Sequence, residues 1–233
     1  SEILTAFACR NGIPVVSTLM GLGAFPPENP LWLGMLGMHG SRYVNLALEE
    51  ADLLLALGVR FDDRATGRVA DFCRHADIVH VDIDPSEIGK IKPANLAIAG
   101  DVGMVLQEAI GWIQQDGRPE WSHRIAELRA AYPFMWPLAA EPLQPLPFIR
   151  AIAAWAGPEA IATTDVGQHQ MWAAQAYPVT RPRMLQTSAG LGTMGFGLPA
   201  AIGAALSRPG QRVVCISGDG SILMNTQELA TLA

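Results

Sequence analysis

Short apolar runs alternate with helical patterns in the first half of the chain. The runs from Pro14 to Thr18, Leu53 to Gly58, Ile78 to Asp84 and Leu96 to Gly100 are aliphatic or β-branched, and each leads into a loop. Runs of this length predict strands. Because these strands are apolar on both faces and are separated by helical segments, they indicate a parallel sheet covered by helices. The first half is therefore predicted to be a doubly wound α/β domain.

The segments between these strands carry apolar residues at helical spacing. They comprise the N-terminal residues up to Gly12, the stretch from Tyr43 to Ala51, and the stretch from Val102 to Ala131. Gly12 is a typical helix terminator because glycine adopts the left-handed conformation that ends many helices. These helices are expected to cover the sheet.

A proline-rich segment separates the two halves of the chain. It contains Pro133, Pro137, Pro142, Pro145 and Pro147. Prolines at this density stiffen a chain into an extended connector without a packed core. We therefore predict a first domain over residues 1–135, a linker over residues 136–147 and a second domain over residues 148–233.

The second half repeats the alternation of strands and helices. Helices are predicted from Pro147 to Ala156, from Leu198 to Leu206 and from Thr226 onwards, and strands from Ala160 to Thr164 and from Arg212 to Ser217. This pattern again indicates a parallel sheet between helical layers. The fold class is thus two doubly wound, three-layer α/β/α domains. Both are expected to be incomplete, because the first and last helical patterns run to the chain ends.

Composition and charge exclude several classes of protein. The chain has 233 residues, a net charge of −6, 50% hydrophobic residues and 16% charged residues, which is too apolar for a disordered chain. No cluster of basic residues is present to bind nucleic acid, and no apolar run approaches the roughly 20 residues that span a bilayer. Three widely spaced cysteines without a CxxC pair indicate a reducing compartment, so we expect a cytoplasmic protein.

Candidate chemistry in the second half lies directly after predicted strands. Gly218-Asp219-Gly220-Ser221 places a carboxylate where open α/β sheets bind ligands, and such a carboxylate suits Mg²⁺. A simple turn is the alternative. The glycine-rich stretch from Gly190 to Gly197 opens onto a helix, whose free N–H groups suit pyrophosphate; helix packing is the alternative there. Asp165 to Gln170 follows a third strand and offers an amide and an imidazole, although a lone His169 is more often a capped loop residue.

Candidate chemistry in the first half combines arginines with carboxylates. The segments are Leu36 to Gly40, Gly58 to Arg64 and Val81 to Asp84. Arg60 and Arg64 suit a phosphate group, and carboxylates at a strand end can accept hydrogen bonds from a nucleotide. The alternative is an internal Arg–Asp network that only ties loops together.

In this order, these segments resemble the thiamine-diphosphate enzymes and, among them, the catalytic subunits of acetolactate synthases. The segments that carry the resemblance are Gly34 to Gly40, Gly58 to Arg64, His80 to Asp84, Thr163 to Trp172, Gly190 to Gly197 and Gly218 to Glu228. Similarity extends over nearly the whole chain and is weakest between Val102 and Arg150. Six long segments together are far more specific than any single glycine pattern.

The resemblance implies a central FAD-binding domain and a C-terminal domain that binds thiamine diphosphate through Mg²⁺. The positions that match FAD-side residues are Thr18, Leu36, Gly37, Met38, His39, Gly58, Arg60, Asp62, Arg64, Asp82 and Asp101. Contacts to thiamine diphosphate are implied for Val166, Gly167, Gln168, His169, Gly192, Met194, Gly220 and Ser221. Among these, Gly192 and Met194 match the stretch that supports the aminopyrimidine. Asp219 matches the first metal ligand.

The implied reaction condenses two pyruvates to 2-acetolactate with loss of CO₂, or pyruvate with 2-oxobutyrate, in the biosynthesis of valine and isoleucine. FAD has no net redox role in this reaction. The resemblance also implies a homodimer or homotetramer of the full-length subunit, with a regulatory small subunit as a further partner. No nucleic acid or membrane partner is expected.

Two functional positions of the family find no match in this sequence. One is the glutamate of the N-terminal domain, and the other is an asparagine metal ligand on the order of 30 residues after Asp219. We therefore assign no catalytic residue and expect the chain alone to be inactive. The alternatives are another thiamine-diphosphate enzyme, such as a pyruvate oxidase, glyoxylate carboligase or 2-oxoacid decarboxylase, or a noncatalytic remnant. An NAD-dependent dehydrogenase is disfavoured because no G-x-G-x-x-G follows the first strand.

Overall fold

The computed structural model describes residues 1–113, 115–134 and 144–232, which form two compact units. The first unit comprises Ser1–Thr18 and Glu28–Phe134. The second comprises Leu19–Pro27 together with the described residues from 144 onwards. The first elements of the first unit are α1 (Glu2–Asn11), β1 (Val15–Ser17), β2 (Trp32–Met35), α2 (Arg42–Glu50) and β3 (Leu53–Leu57). They are followed by α3 (Asp63–Thr66), β4 (Asp77–Asp82), β5 (Leu96–Ala99), α4 (Val102–Ala109) and α5 (Pro119–Ala131).

Every strand pairing in the described part of the first unit is parallel. β3, β4 and β5 are neighbours in that order, with Leu53 opposite Asp77 and Leu57 opposite Val81. β1 and β2 form a separate two-stranded sheet. The prediction of a parallel α/β arrangement is confirmed here. Parallel pairing places the ends of β3 and β4 at one edge, where Gly58 donates its N–H to the carbonyl oxygen of Val81 at 2.8 Å.

The helices of the first unit pack through small apolar clusters and one ion pair. Leu33, Val44 and Leu128 are buried in a cluster that joins β2, α2 and α5. The Arg124 guanidinium on α5 donates to the Glu50 carboxylate on α2 at 2.7 and 2.8 Å. α1 ends as predicted, because Gly12 adopts the left-handed conformation at φ 59°.

The second unit contains a three-stranded parallel sheet. Its elements are α6 (Pro145–Ala156), β6 (Ile161–Thr164), α7 (Gln168–Ala176), β7 (Leu185–Gln186), α8 (Gly197–Ser207), β8 (Val213–Ile216), α9 (Asp219–Leu223) and α10 (Leu229–Leu232). β6 lies between β7 and β8 and is completely buried. The three strands therefore end at one edge, with β6 at its centre.

Leu19–Pro27 belongs to the second unit, although it lies between two strands of the first unit in the sequence. Leu22 and Phe25 are buried. Gly23 has φ +82°, and a Cβ there would lie 2.2 Å from the carbonyl oxygen of Arg181. Only glycine therefore allows this close approach to the backbone of residue 181.

Several local expectations need adjustment. β2, α7 and β7 carry too few residues or too mixed a pattern to be read from the sequence, and Thr226–Glu228 forms a 3₁₀ turn before α10. Residues 136–143 of the predicted linker lie outside the described residues, and α6 already begins at Pro145. The predicted domain boundaries remain a proposal. None of the described helices has the length and apolar character needed to cross a membrane.

Candidate functional site

Three loops of the second unit follow the three parallel strands. Val166 and Gly167 follow β6 and lead into α7, whose first residues are Gln168 and His169. The glycine-rich stretch lies between β7 and α8. Gly218 follows β8 and precedes α9. Since the carboxyl ends of parallel strands meet at one edge, these loops are placed together.

A buried carboxylate, Asp165, connects two of these loops. It is only 1% exposed and directly follows β6. Its Oδ1 accepts hydrogen bonds from the backbone N–H groups of Val166 and Gly195, both at 2.9 Å. Its Oδ2 accepts one from the N–H of Gly197, also at 2.9 Å. One side chain therefore joins the turn after β6 to the start of α8.

These hydrogen bonds determine the ionisation of Asp165. Burial raises the pKa of the carboxyl, but the N–H groups of Gly197, Val166 and Gly195 stabilise the charged form and more than compensate. The Ser221 hydroxyl adds to this effect, and the net pKa of Asp165 lies below its ordinary value. The carboxylate is therefore held in its charged form within the protein.

The imidazole of His169 lies in a slot between two glycines. A Cβ at Gly167 would lie 3.0 Å from Cε1 of His169, and a Cβ at Gly218 would lie 3.1 Å from the same atom. Gly167 also has φ +146°, which side chains rarely adopt. The loops after β6 and β8 are thus both shaped by glycine around one imidazole ring.

His169 presents a buried nitrogen that has no hydrogen-bond partner. Its Nε2 is inaccessible and unpaired, whereas its ring bonds the backbone of Asp165. Burial lowers the pKa of His169, and the nearby charge and carbonyl of Asp165 only partly oppose this. A buried polar atom without a partner is costly, so Nε2 marks a place where a polar ligand group would be favourable.

The glycine-rich stretch is also held from its other side. Gly195 has φ +90°, and Asn225 Nδ2 donates to its carbonyl oxygen at 2.5 Å. Met194, the neighbouring residue, places its Cε 3.9 Å from the position of a Cβ at Gly220. Ser221 Oγ donates to the carbonyl oxygen of Val166 at 3.4 Å. The structure therefore brings together implied thiamine-side residues from all three loops, namely Val166, Met194, Gly220 and Ser221, but among the described residues it gives Gly192 no contact with them.

Asp219 is the first residue of α9 and is exposed. The glycine–aspartate–glycine motif thus forms a strand-to-helix junction. Within residues 1–113, 115–134 and 144–232, no group of three or more His, Cys, Asp or Glu side chains is arranged to hold a metal ion. Asp219 offers one carboxylate to a cation at this edge.

In the first unit, the loop after β2 contacts α3, which follows β3. Gly37 has φ +90°, and a Cβ there would lie 2.3 Å from the carbonyl oxygen of Arg64. The N–H of Met38 donates to that carbonyl at 2.9 Å. Asn45 exchanges two hydrogen bonds with the backbone of Gly37, at 2.9 and 3.0 Å. Backbone contacts thus bring together Leu36 to His39 and Arg64.

The charged residues of this region form local pairs. Asp62 caps α3 by accepting from the N–H groups of Arg64 and Ala65, both at 3.1 Å. Arg60 lies 3.9 Å from Asp62, and Arg64 lies 3.3 Å from Asp63. The Arg60 and Arg64 side chains are 60% and 66% exposed. Both ion pairs join residues at most two positions apart and are exposed, so they do not tie separate loops together, and both guanidinium groups remain accessible to a ligand.

The remaining implied FAD-side residues lie at strand ends and a helix start. Thr18 follows β1, Gly58 follows β3, and Asp82 is the last residue of β4. Asp82 is buried and accepts a hydrogen bond from the N–H of Asp84 at 2.9 Å. Asp101 caps α4 by accepting from the N–H of Met104 at 3.0 Å.

Sequence reasoning missed the residues that organise the second unit's loops. In the sequence, Asp165 stands out only as part of the segment from Asp165 to Gln170. A carboxylate directly after a buried strand was the available signal for Asp165. No local signal announces Asn225, because its partner Gly195 is distant in sequence.

Two family models match the chain. The central domain of the thiamine pyrophosphate enzymes matches residues 1–109, and their C-terminal TPP binding domain matches residues 165–233. The "Acetolactate synthase isozyme 1 large subunit" of Escherichia coli (strain K12) is 56% identical over 219 residues, covering 94% of this chain and 39% of the relative. "Acetolactate synthase 1, chloroplastic" of Zea mays is 50% identical over 237 residues, covering 99% of this chain and 37% of the relative.

A third relative, the "Acetolactate synthase large subunit" of Cyanidium caldarium, is 49% identical over 228 residues, covering 95% of this chain and 39% of the relative. The chain thus spans less than half the length of these curated relatives.

Proposed function

The chain belongs to the thiamine pyrophosphate enzymes, and from this premise we propose that it binds thiamine diphosphate and Mg²⁺ at the loops of its second unit. We further propose that it binds FAD in its first unit and that it acts as part of an acetolactate synthase. The single observation that carries the proposal is the His169 slot, because glycines from two loops admit an imidazole ring whose buried Nε2 has no hydrogen-bond partner.

The chemistry of the second unit's edge suits a diphosphate. Gly167 and Gly218 let the loops after β6 and β8 pack against the His169 ring, whose Nε2 has no partner. The N–H groups of Gly195 and Gly197 already bind Asp165, so we assign the diphosphate to the loops after β6 and β8 and the rings of the cofactor to the glycine-rich stretch. Asp219 adds an exposed carboxylate of the kind that Mg²⁺ prefers. The residues that would hold thiamine diphosphate are Val166, Gly167, Gln168, His169, Gly192, Met194, Gly220 and Ser221, with Asp219 on the metal.

The first unit's edge suits an anionic nucleotide. Exposed guanidinium groups at Arg60 and Arg64 stand beside a loop that Gly37 allows to pack against α3. The residues that would hold FAD are Thr18, Leu36, Gly37, Met38, His39, Gly58, Arg60, Asp62, Arg64, Asp82 and Asp101. Asp82 and Asp101 already accept backbone N–H groups, so their part would be to hold the loops that contact the ligand.

The proposed reaction condenses two pyruvates to 2-acetolactate with loss of CO₂, or pyruvate with 2-oxobutyrate, in the biosynthesis of valine and isoleucine. When bound, thiamine diphosphate supplies the thiazolium that accepts the electron pair released by decarboxylation. The chain's own residues bind and orient: His169 and the adjacent backbone hold the anionic end, and Met194 supports the ring system. No catalytic proton transfer is assigned to a residue of this chain.

We propose homo-oligomerisation and association with a regulatory small subunit, since two of the relatives are named large subunits. We propose a cytoplasmic location on the ground that the three cysteines are unpaired, as expected in a reducing compartment. A plastid is the alternative, because relatives from plants are named chloroplastic.

Calorimetric titration of the purified chain with thiamine diphosphate and Mg²⁺ tests the second unit's site. Gly218→Ala would crowd His169 and should weaken binding about tenfold. Gly203→Ala, in open space on α8, is the matched control and should bind as the parent chain does. Absence of binding by the parent chain, or equal binding by both variants, would overturn the assignment of this site.

Flavin binding and turnover test the rest of the proposal. The absorbance spectrum of the chain equilibrated with FAD and then desalted should show retained flavin. Acetolactate is then assayed with pyruvate, thiamine diphosphate, Mg²⁺ and FAD, with the chain alone and with a regulatory small subunit added. We propose that the chain alone is inactive, so acetolactate formed by it would show that a residue of this chain is catalytic. Decarboxylation of pyruvate to acetaldehyde without acetolactate would instead favour a 2-oxoacid decarboxylase.

A further inference from the structure

Both polar backbone groups of Gly195 are held by side chains from outside its loop. Asp165 Oδ1 accepts its N–H at 2.9 Å, and Asn225 Nδ2 donates to its carbonyl oxygen at 2.5 Å. We propose that Asp165 and Asn225 are positioning residues that hold Gly195, and with it the glycine-rich stretch, in the shape that binds thiamine diphosphate. We call this arrangement the Gly195 clamp. The identity of the ligand rests on the proposed function, whereas the effect of the clamp on the conformation of the loop does not.

The loop needs such a clamp because of its composition. Four of the eight residues from Gly190 to Gly197 are glycines, which give the unfolded and partly ordered loop many accessible conformations. Gly195 itself has φ +90°, and a Cβ there would lie 2.6 Å from Asn225 Nδ2. The glycine therefore permits the close approach, and the two side chains select one conformation from the many that glycine allows.

The clamp acts at a residue next to the ligand-facing part of the loop. Met194, which precedes Gly195, is 46% exposed and lies near Gly220 of the neighbouring loop. Asp165 is 1% exposed and already accepts three backbone N–H groups, so it is not available to a ligand. The clamp residues therefore act through Met194 and the loop backbone, and they are not catalytic.

Asp165 and Asn225 differ in what else they hold. Asp165 also binds the N–H groups of Val166 and Gly197, so its loss would disturb the turn after β6 as well as the loop. Among the described residues, the side chain of Asn225 bonds the glycine-rich stretch at Gly195, and its Oδ1 accepts one exposed hydrogen bond from Gln227 Nε2 at 3.2 Å, outside that stretch. Asn225→Ala is consequently the more selective variant, and it is also the safer one for folding because Asn225 is only partly buried.

Hydrogen–deuterium exchange on the ligand-free chain tests the clamp without any cofactor. In Asp165→Asn, the amide nitrogen would face a backbone N–H, and exchange of a peptide covering residues 188–197 should accelerate at least tenfold. Asn225→Ala should accelerate it about fivefold. The control is Asp116→Asn, an exposed carboxylate that accepts one N–H from Arg118 at 3.1 Å, and it should leave this peptide unchanged.

Measurements of ligand binding distinguish a positioning role of Asn225 from a general effect on the stability of the fold. Asn225→Ala should weaken thiamine diphosphate binding about fivefold but leave inorganic pyrophosphate binding within about twofold, because pyrophosphate would use the loop after β6. Far-UV circular dichroism confirms that each variant is folded. If Asp165→Asn does not fold, Asn225→Ala decides the question alone.

The possible outcomes are distinct. Unchanged exchange at residues 188–197 in folded Asn225→Ala overturns the clamp. Equal loss of thiamine diphosphate and pyrophosphate binding assigns Asn225 a general structural role and also overturns the positioning proposal. If the parent chain binds neither ligand, the proposed function fails, while the exchange data still decide whether the clamp orders the loop.

Discussion

The two candidate binding regions are organised in opposite ways. In the second unit, a buried carboxylate gathers the loops, since Asp165 accepts three backbone N–H groups from two of them. In the first unit, carboxylates such as Asp62 are exposed and cap their own helix, and the loops meet through backbone contacts at Gly37. The loops of the second unit therefore depend on one charged group, whereas those of the first depend on close backbone packing.

This difference follows from the free-energy cost of burying a charged group. An exposed carboxylate is solvated, so its pairing adds little to stability, but its arginine partners remain free to meet a ligand. A buried carboxylate must be satisfied completely, and once satisfied it fixes every group that it binds. In the second unit, the buried carboxylate therefore holds the glycine-rich stretch in one conformation. In the first unit, the arginine side chains remain accessible.

Removal of one carboxylate from each region should destabilise the two units to very different extents. Asp165→Ala leaves three buried N–H groups unpaired and should destabilise the second unit by roughly 3–5 kcal/mol. Asp62→Ala removes a helix cap and a long, exposed ion pair with Arg60, and it should cost about 1 kcal/mol. Urea unfolding followed by exchange of peptides from each unit measures both. Similar losses for the two variants would show that burial does not distinguish these carboxylates.

The complementary test targets the backbone contact of the first unit. Gly37→Ala combines a strained positive φ with overlap at the Arg64 carbonyl, and it should destabilise the first unit by about 2–4 kcal/mol and abolish flavin retention. Gly89→Ala is the control, because Gly89 has a similar φ of +72° but open space around it, and it should cost about 1 kcal/mol. If both variants are destabilised equally, the close approach of Gly37 to the Arg64 carbonyl adds nothing to the cost of its positive φ.

The response to pH should also differ between the units. Burial lowers the pKa of His169, so the folded chain binds this proton more weakly than the unfolded chain does. The stability from neutral His169 is complete above its ordinary value of 6.5 and is lost as pH falls towards the lowered pKa. Asp165, with its lowered pKa, adds a second loss below its ordinary value of 3.8.

In the first unit, the hydrogen bond from Arg124 lowers the pKa of Glu50, so its stability contribution is lost only below the ordinary value of 4.5. Thermal unfolding followed from about pH 8 to pH 5 should therefore show that the second unit loses stability at a higher pH than the first, because the cost of protonating His169 begins near pH 6.5. His169→Gln should flatten that pH dependence. An unchanged slope in this variant would assign the acid sensitivity to other groups.

The smallest expected effect on stability tests the accessible charge. Arg60→Gln breaks a long, exposed ion pair with Asp62 and should change the stability of the first unit by less than about 0.5 kcal/mol. It should nevertheless weaken FAD binding about tenfold if the guanidinium meets an anionic group. Arg68→Gln removes another exposed arginine, paired with Asp71, and serves as the control. Lower stability without weaker flavin binding would favour the purely internal network.

The strand pattern was readable because the strands are short runs of apolar or small residues. Residues 53–57 and 161–164 both have this composition, and the structure places both in parallel sheets. Residues 161–164 are buried throughout, whereas only Ala56 is buried in residues 53–57. β7 has only two residues and offers no pattern. α7 was missed because its first turn carries the polar residues Gln168 and His169, which were interpreted as part of a loop.

The candidate site residues, which remain a proposal, could be named from the sequence for a different reason. Glycines and acidic residues directly after strands point to the ligand edge of an open sheet, and the order of these segments indicated the family. The residues that hold the loops were not readable, since hydrogen bonds such as Asn225 to Gly195 depend on how distant segments pack.

The sequence alone therefore determined the α/β class, the succession of strands and the types of residue that each strand end presents, because burial and backbone preferences act locally along the chain. Only the tertiary structure decided that Asp165 gathers two loops, that His169 occupies a glycine slot, and that Leu19–Pro27 belongs to the second unit. These features arise from contacts between residues far apart in sequence, and no local pattern encodes which distant partner a buried polar group will find.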